Sequence, residues 1–479
     1  MIRKLYILCA VLLMTAGTDA LGQNLKPSVT YNRLQREDAG LPVIGRIQPV
    51  ASSLGRESLW SVGCETLDRD YAVFENFKQY VGETGVGYAR IQSGWNKTER
   101  EAGKYEFEWL DRIVDGLLEE GVRPWICLCY GNANYIGNVR DLYTFVNDEV
   151  AMKAWEKYVK ATVRRYKDRV KMWEVWNEPD FSSKKYTAEY AIFFARTAKA
   201  VKAADPKAKV AIFALSDLDK PYAGIVLEKL KELDGLKYID YATYHAYFDN
   251  PDLVYDYAVR FRELLKSYNP DAEILQGESG CPGQLEYGHA LCMREWTEIS
   301  QAKWEARHML TQWGIGVPSS VFTMVDLRYE NMIQSFGLIR MNLKSEPQYK
   351  RPKFHVVQNM TSLVTPDWKY SDKPEIVYSS ASREVTIKGI EKDGKVIGYF
   401  LWFGSRVPDD GTDREKVDLT IEGAALDNPV YVDMLTGKVH SLGQCLSRGA
   451  AFGDKIRISG LPLWDAPVLI VNKNELNIK

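Results

Sequence analysis

Histidine is scarce in this chain and basic runs are absent. The five histidines (His245, His289, His308, His355 and His440) are scattered, with no helical pair at ligand spacing, so no catalytic metal is expected. Lysine plus arginine (62) and aspartate plus glutamate (64) nearly cancel, to a formal net charge of −2. Without a basic stripe, no nucleic-acid partner is expected. Beyond the N-terminus no segment is long and apolar enough to span a bilayer, so no transmembrane segment is expected. Internal repeats and low-complexity tracts are also missing. Cysteine is sparse, 7 in 479 residues. Cys127 and Cys129 stand two apart on one strand-like run and read as small core residues rather than a bridge. Cys281 and Cys292 are close enough in sequence to pair in an oxidising compartment.

What is present begins with an export signal. Arg3 and Lys4 precede an apolar stretch from Leu5 to Met14, and Ala20-Leu21-Gly22 offers small residues before Gln23. Residues 1–22 are therefore expected to be removed, and the mature chain to be periplasmic or secreted. A buried N-terminal helix is the alternative. Cys9 lies in this stretch, too early and in the wrong context for lipidation. Apolar content of 46% and charged content of 26% are ordinary for a soluble globular protein. Aromatic residues reach 12%, which fits either sugar-binding faces or the buried content of a large barrel.

From residue 58 to 362, apolar strand-like runs alternate with amphipathic helical stretches. The runs begin at Trp60, Tyr88, Pro124, Val170, Val210, Ile239, Ile274 and Val321. Val210-Ala211-Ile212-Phe213-Ala214-Leu215 is apolar throughout, as strands covered on both faces are. In the stretch Trp109 to Glu120, Trp109, Leu110, Ile113, Val114, Leu117 and Leu118 form one helical stripe, and Gly121 is placed to end it. Eight such repeats predict an α/β fold, a (β/α)8 TIM barrel. A doubly wound open sheet is the alternative, weakened because no glycine-rich phosphate loop follows the first strand. Residues 363–479 change to short alternating strands, with Asp393-Gly394 as a hairpin signal, and predict a C-terminal β-sandwich. Residues 23–57 form a polar lead-in that could lend the sandwich a strand.

Two glutamates stand at the ends of barrel strands, where side chains converge on one mouth. Glu178 closes Trp173-Glu174-Val175-Trp176-Asn177-Glu178-Pro179, and Glu278 lies in Gln276-Gly277-Glu278-Ser279. Two carboxyls about 5 Å apart are what cleavage of a glycosidic bond with retention requires. With 64 acidic residues in the chain, a glutamate pair alone is weak, and the surrounding motif carries the weight.

That motif resembles clan A glycoside hydrolases, closest to the family 39 form, with family 5 next. The resemblance implies a (β/α)8 barrel, Glu178 as acid/base, Asn177 as a partner of the substrate 2-hydroxyl, and Glu278 as nucleophile. Arg90, in Gly87-Tyr88-Ala89-Arg90-Ile91, matches the clan's arginine beside the nucleophile. Tyr244-His245-Ala246-Tyr247 matches a histidine near the acid/base and a tyrosine near the nucleophile. His245 and Tyr247 are two apart, so both leave the strand on one side. Further candidates for lining the same mouth are Glu65, Trp95, Asn96, Tyr130, Asn132 and Asn134. The chain departs from the clan in one place. The last strand runs Val321-Phe322-Thr323-Met324-Val325-Asp326-Leu327-Arg328, without the tryptophan that many members place beneath the sugar. Asp326 and Arg328 are expected either to reach substrate or to pair with each other.

The expected function is a retaining glycosidase acting on a β-linked carbohydrate substrate, with no cofactor. A carbohydrate-binding barrel that has lost its chemistry and a transglycosylase remain as alternatives. The binder is disfavoured because it has no need of two close acids that repel each other.

Overall fold

The computed structural model describes residues 24–181, 186–218, 221–372, 376–422, 426–447 and 455–479. The expected export signal, residues 1–22, lies outside them. Eight parallel strands close into a barrel: β1 (Trp60–Gly63), β2 (Tyr88–Gln92), β3 (Arg123–Leu128), β4 (Met172–Val175), β5 (Lys209–Leu215), β6 (Tyr241–Tyr244), β7 (Glu273–Ser279) and β8 (Ser319–Val321). The ring closes where Trp60 of β1 pairs with Ser319 of β8 and Val62 with Val321. Every residue of β5 after Lys209 is buried, which is why its sequence shows no alternation.

The helices Glu108–Glu119, Glu149–Tyr166, Thr187–Ala204, Tyr222–Glu232 and Val254–Tyr268 cover the barrel. Gly121 ends the first of these as expected. It sits at φ 76°, and a Cβ there would meet the Ser53 Cα at 2.6 Å, so only glycine fits. The strand starts agree with the sequence reading to within two residues. The exception in substance is the motif around Glu178. β4 stops at Val175, and Trp176 (φ 70°) and Glu178 (φ 52°) take left-handed conformations in the turn beyond it. Non-glycine residues pay for such backbone with about 1–3 kcal/mol of strain, which persists where neighbours fix the geometry. Here the Glu178 N–H donates to the Ala214 carbonyl at 3.1 Å and the Tyr190 hydroxyl donates to the Val175 carbonyl at 2.9 Å.

The C-terminal strands form two antiparallel sheets. Seven strands run in the order Val43–Arg46, Lys438–Ser441, Pro429–Asp433, Val468–Asn472, Lys395–Phe403, Val385–Lys392 and Lys369–Ser371. The second sheet contains Ile376–Ser379, Glu415–Glu422, Lys455–Leu463 and Leu446–Ser447. The segment before the barrel thus contributes one edge strand to the larger sheet. Asp393 (φ 50°) and Gly394 (φ 73°) form the two-residue turn between Lys392 and Lys395, the left-handed pair that matches strand twist.

The helix Glu298–Gly314 is buried along almost its whole length, because the barrel covers one side and the sandwich the other. Its Lys303 donates to Asp465 and the Gly411 carbonyl, and its Arg307 donates to Asp252 and the Gly404 and Arg406 carbonyls. Cys281 and Cys292 are both free thiols, so the pairing considered from their spacing is not made. Cys281 instead sits in a small apolar cluster with Trp296 and Trp304.

Candidate active site

Arg90 organises the barrel mouth. It lies on β2, fully buried, a charge in an otherwise apolar strand that must find partners inside. Nη1 donates to the Glu278 carboxylate at 2.8 Å and to Glu65 at 3.2 Å. Nη2 donates to Glu174 at 2.6 Å and to the Asn177 side-chain oxygen at 2.7 Å, and Nε donates to Glu174 at 2.9 Å. Thr243 of β6 donates to the other Glu174 oxygen at 2.5 Å. One guanidinium therefore fixes residues from β1, β4 and β7 in a single frame.

Glu278 takes its second hydrogen bond from the Tyr247 hydroxyl, at 2.7 Å. Burial pushes the Glu278 carboxyl up, but the His245 and Arg90 charges and the Tyr247 hydrogen bond more than reverse this, leaving its pKa below the usual value. Burial and the adjacent Glu278 charge drive the Tyr247 phenol far upward, so it remains a neutral donor. Glu278 is the less exposed of the two acids, at 12% against 24% for Glu178.

Glu178 faces a different neighbour. Its carboxyl lies 2.8 Å from His245 Nδ1. Burial would lower the His245 pKa, yet the Glu278 charge and the bond to Glu178 raise it overall. Glu178, His245 and Glu278 each bring one side-chain N or O atom to within 4.8 Å of the others. These three are also the described residues that could hold a metal ion together. One oxygen of each carboxyl therefore lies within 4.8 Å of the other, a close approach that suits the short spacing of about 5–5.5 Å used for retention better than the roughly 6.5–9.5 Å that fits a water for inversion.

A cleft of about 820 Å³ opens above this pair, lined by Glu65, Asn177, Glu178, Tyr247, Glu278 and Tyr130 among the expected residues. Arg90 and His245 stand directly behind them, fully buried. Two expectations need correction. Trp95 is fully buried and stacks on Tyr135, Phe145 and Tyr158, below the cleft wall. Its first-turn position in the helix Trp95–Thr98 points it into the core. Asp326 is also buried away from the cleft. It pairs with Arg351 and accepts from the backbone of Gly337 and Met341, bracing the segment after β8. Arg328 donates to the Leu343 carbonyl rather than to Asp326. Asn132 and Asn134 are occupied by the Glu99 carbonyl, and Asn96 accepts from the Ala133 N–H.

The sequence reading passed over several residues that the structure brings to the site. Glu174 is inside the motif itself, and a carboxylate within an apolar strand signals a buried cation partner. Phe322, sought only as a tryptophan, lines the cleft at the end of β8 and packs edge-on against Phe336 at 5.5 Å. Arg69, Arg140 and Tyr329 also line the cleft, from loops whose path no strand pattern reveals.

Residues 79–267 match the model of Glycosyl hydrolases family 39. This span contains Arg90, Asn177, Glu178, His245 and Tyr247. Among solved structures, a family 39 glycoside hydrolase from Bacteroides cellulosilyticus WH2 superposes with a TM-score of 0.64 at 18% identity, covering 89% of this chain and 82% of that one. A monomeric β-xylosidase from Caulobacter crescentus CB15 gives 0.57 at 18% identity, covering 90% and 97%. A family 30 endoxylanase from Clostridium papyrosolvens C71 gives 0.56 at 11% identity, covering 90% and 98%. At these identities the superpositions speak for a shared barrel-plus-sandwich fold, while the family model speaks for the chemistry of its mouth. The chain is a glycosidase, and its barrel segment 79–267 is similar to the glycosyl hydrolases of family 39.

Proposed function

We propose that the chain is an exported retaining β-glycosidase that works by double displacement, with Glu278 as nucleophile and Glu178 as acid/base. The observation that carries this reading is a pair of carboxyls, in unlike surroundings, that bring one oxygen each to within 4.8 Å of the other. Glu278 is held as an anion by Arg90 and Tyr247. In the first half-reaction its carboxylate oxygen attacks the anomeric carbon while Glu178 gives its proton to the departing glycosidic oxygen. A covalent glycosyl ester on Glu278 results. In the second half-reaction Glu178 takes a proton from an entering water, the water oxygen attacks the anomeric carbon, and the ester bond to Glu278 breaks. His245 holds Glu178 in place through both steps. Asn177, fixed by Arg90, presents its side-chain amide to the sugar 2-hydroxyl.

β-Xylosides are the first substrates to test, because two of the similar structures are named β-xylosidases. Glu278→Ala should abolish hydrolysis of every substrate while leaving the fold intact. Glu178→Ala should keep turnover on aryl glycosides with very good leaving groups, which need no acid, and lose it on poor ones. A Glu278→Ala protein with full activity, or a Glu178→Ala protein equally impaired on both classes, would overturn the assignment. The leader's removal is checked by N-terminal sequencing of the protein recovered outside the cytoplasm.

A further inference from the structure

The glycosidase reading leaves one wall of the cleft unexplained. Neutral sugars are held by hydroxyl-bonding groups and aromatic faces, and neither requires arginines in the wall. Yet Arg69 and Arg140 both line this cleft. They stand on the ring of Tyr130, with guanidinium carbons 5.6 Å and 4.8 Å from its centroid. Arg69 also lies over Tyr71 at 5.4 Å. Its charge is partly answered by Asp68 at 3.3 Å and by the Gln92 side chain. Arg140 is different. It is exposed, and among the described residues no carboxylate pairs with it; its contact is the Tyr130 ring.

This positive wall adjoins the reacting groups. The Arg69 charge is near enough to help hold the Glu278 carboxyl down. Laid on the Tyr130 face, the Arg140 guanidinium is restrained in orientation but keeps its N–H edge free for a second partner, whereas Arg69 commits Nε to Asp68 and Nη2 to Gln92 and keeps only Nη1. Carboxylates and sulfates match that edge with two parallel hydrogen bonds. We propose that the Arg69–Tyr130–Arg140 wall binds an anionic group of the glycan, a uronate carboxylate or a sulfate ester, next to the bond that is cut. This rests on the glycosidase reading of the same cleft and narrows its substrate to an acidic poly- or oligosaccharide.

The test uses three matched oligosaccharide sets built on a glycan that the wild type cleaves: neutral, glucuronic acid-substituted and sulfated. The wild type should cleave one acidic set with a kcat/KM about 10-fold or more above the neutral set, the range of a charge-assisted hydrogen bond. The set preferred identifies carboxylate or sulfate as the source. Arg140→Ala should collapse the acidic-to-neutral ratio, chiefly through KM, and Arg140→Lys should restore part of it. Raising NaCl to about 0.5 M should lower the wild-type ratio by screening. A wild type that prefers the neutral set, or an Arg140→Ala ratio equal to wild type, overturns the inference. Glu278→Ala run beside these separates the two failures. If it still cleaves, the reading of the site is wrong; if it is inactive and no acidic preference exists, only the anionic wall is wrong.

Discussion

Glu65 shows how strongly one residue can be conditioned by its neighbours. It is the third carboxyl around a single guanidinium, after Glu174 and Glu278, and three buried anions cannot all be balanced by Arg90. Burial first, and then the Glu278 charge, push the Glu65 pKa up from 4.5 to about 7, against the pull of Arg90. Its second oxygen is buried without a hydrogen-bond partner, which suits a protonated acid better than a carboxylate. The folded state therefore keeps a proton that the unfolded chain releases above pH 4.5. Glu65 contributes its full stability below pH 4.5, and that contribution fades as pH rises through about 7. Glu278 has the opposite sign: its lowered pKa contributes above the unfolded value and is lost as pH falls. Glu65→Gln keeps the neutral shape at every pH. Its Tm should gain on the wild type progressively between pH 4.5 and 8, by an amount on the order of a few kcal/mol in stability. Parallel Tm curves for the two proteins would show that Glu65 is already ionised at neutral pH.

At the level of elements, what could be read from the sequence was set by local periodicity. All eight strands were legible because β-α repeats confine apolar runs to short segments covered on both sides, as β5 illustrates. Glu178, Glu278, Arg90, His245 and Tyr247 were legible because they sit on or just past those strands, where position in sequence fixes position at the mouth. Trp95 and Asp326 were placed wrongly for one shared reason. Both lie beyond strand ends, and whether such a side chain turns to the cleft or the core depends on tertiary packing. The stack of Trp95 on Tyr158 and the pairing of Asp326 with Arg351 involve residues distant in the chain. Glu174 and Arg90, by contrast, face each other from β4 and β2 across the barrel interior, and each predicts the other as a buried opposite charge. Arg90→Lys tests whether shape or charge matters in that frame. Lysine supplies one ammonium where five hydrogen bonds now radiate, so Asn177 and Glu278 lose their common support. We expect kcat to fall by roughly 100-fold or more, comparable to removing a preorganised donor from an active site. A variant with near wild-type kcat would mean that Glu278 is held by Tyr247 alone.

The whole molecule is tied together by a helix that belongs to both halves. Glu298–Gly314 packs on the barrel, yet its polar side chains reach into the sandwich: Lys303 to Asp465, and Arg307 to the carbonyls of Gly404 and Arg406. Arg307 is fully buried and also grips Asp252 and Asn250, at the start of the helix Val254–Tyr268. Trp402 of the sandwich donates to the same Asp252 at 3.0 Å, and Trp313 meets Phe400 edge-on at 5.7 Å. The N-terminal strand Val43–Arg46 adds a second tie by pairing with Lys438–Ser441. An interface of this kind, with ion pairs and an aromatic contact shielded from water, does not behave as a flexible hinge. Arg307→Ala would take the cation away from Asp252, leaving it the Trp402 N–H alone, and would leave the Gly404 carbonyl with only the Asn250 amide, at a cost of about 3 kcal/mol. That loss should lower Tm by several degrees and expose the junction to limited proteolysis, while the barrel mouth, which Arg307 does not touch, keeps its order until unfolding begins. A single cooperative transition displaced to lower temperature is the expected calorimetric outcome for the variant. Two separated transitions in the wild type, or an Arg307→Ala protein as stable as its parent, would show instead that the sandwich is an independent appendage and that the shared helix belongs to the barrel alone.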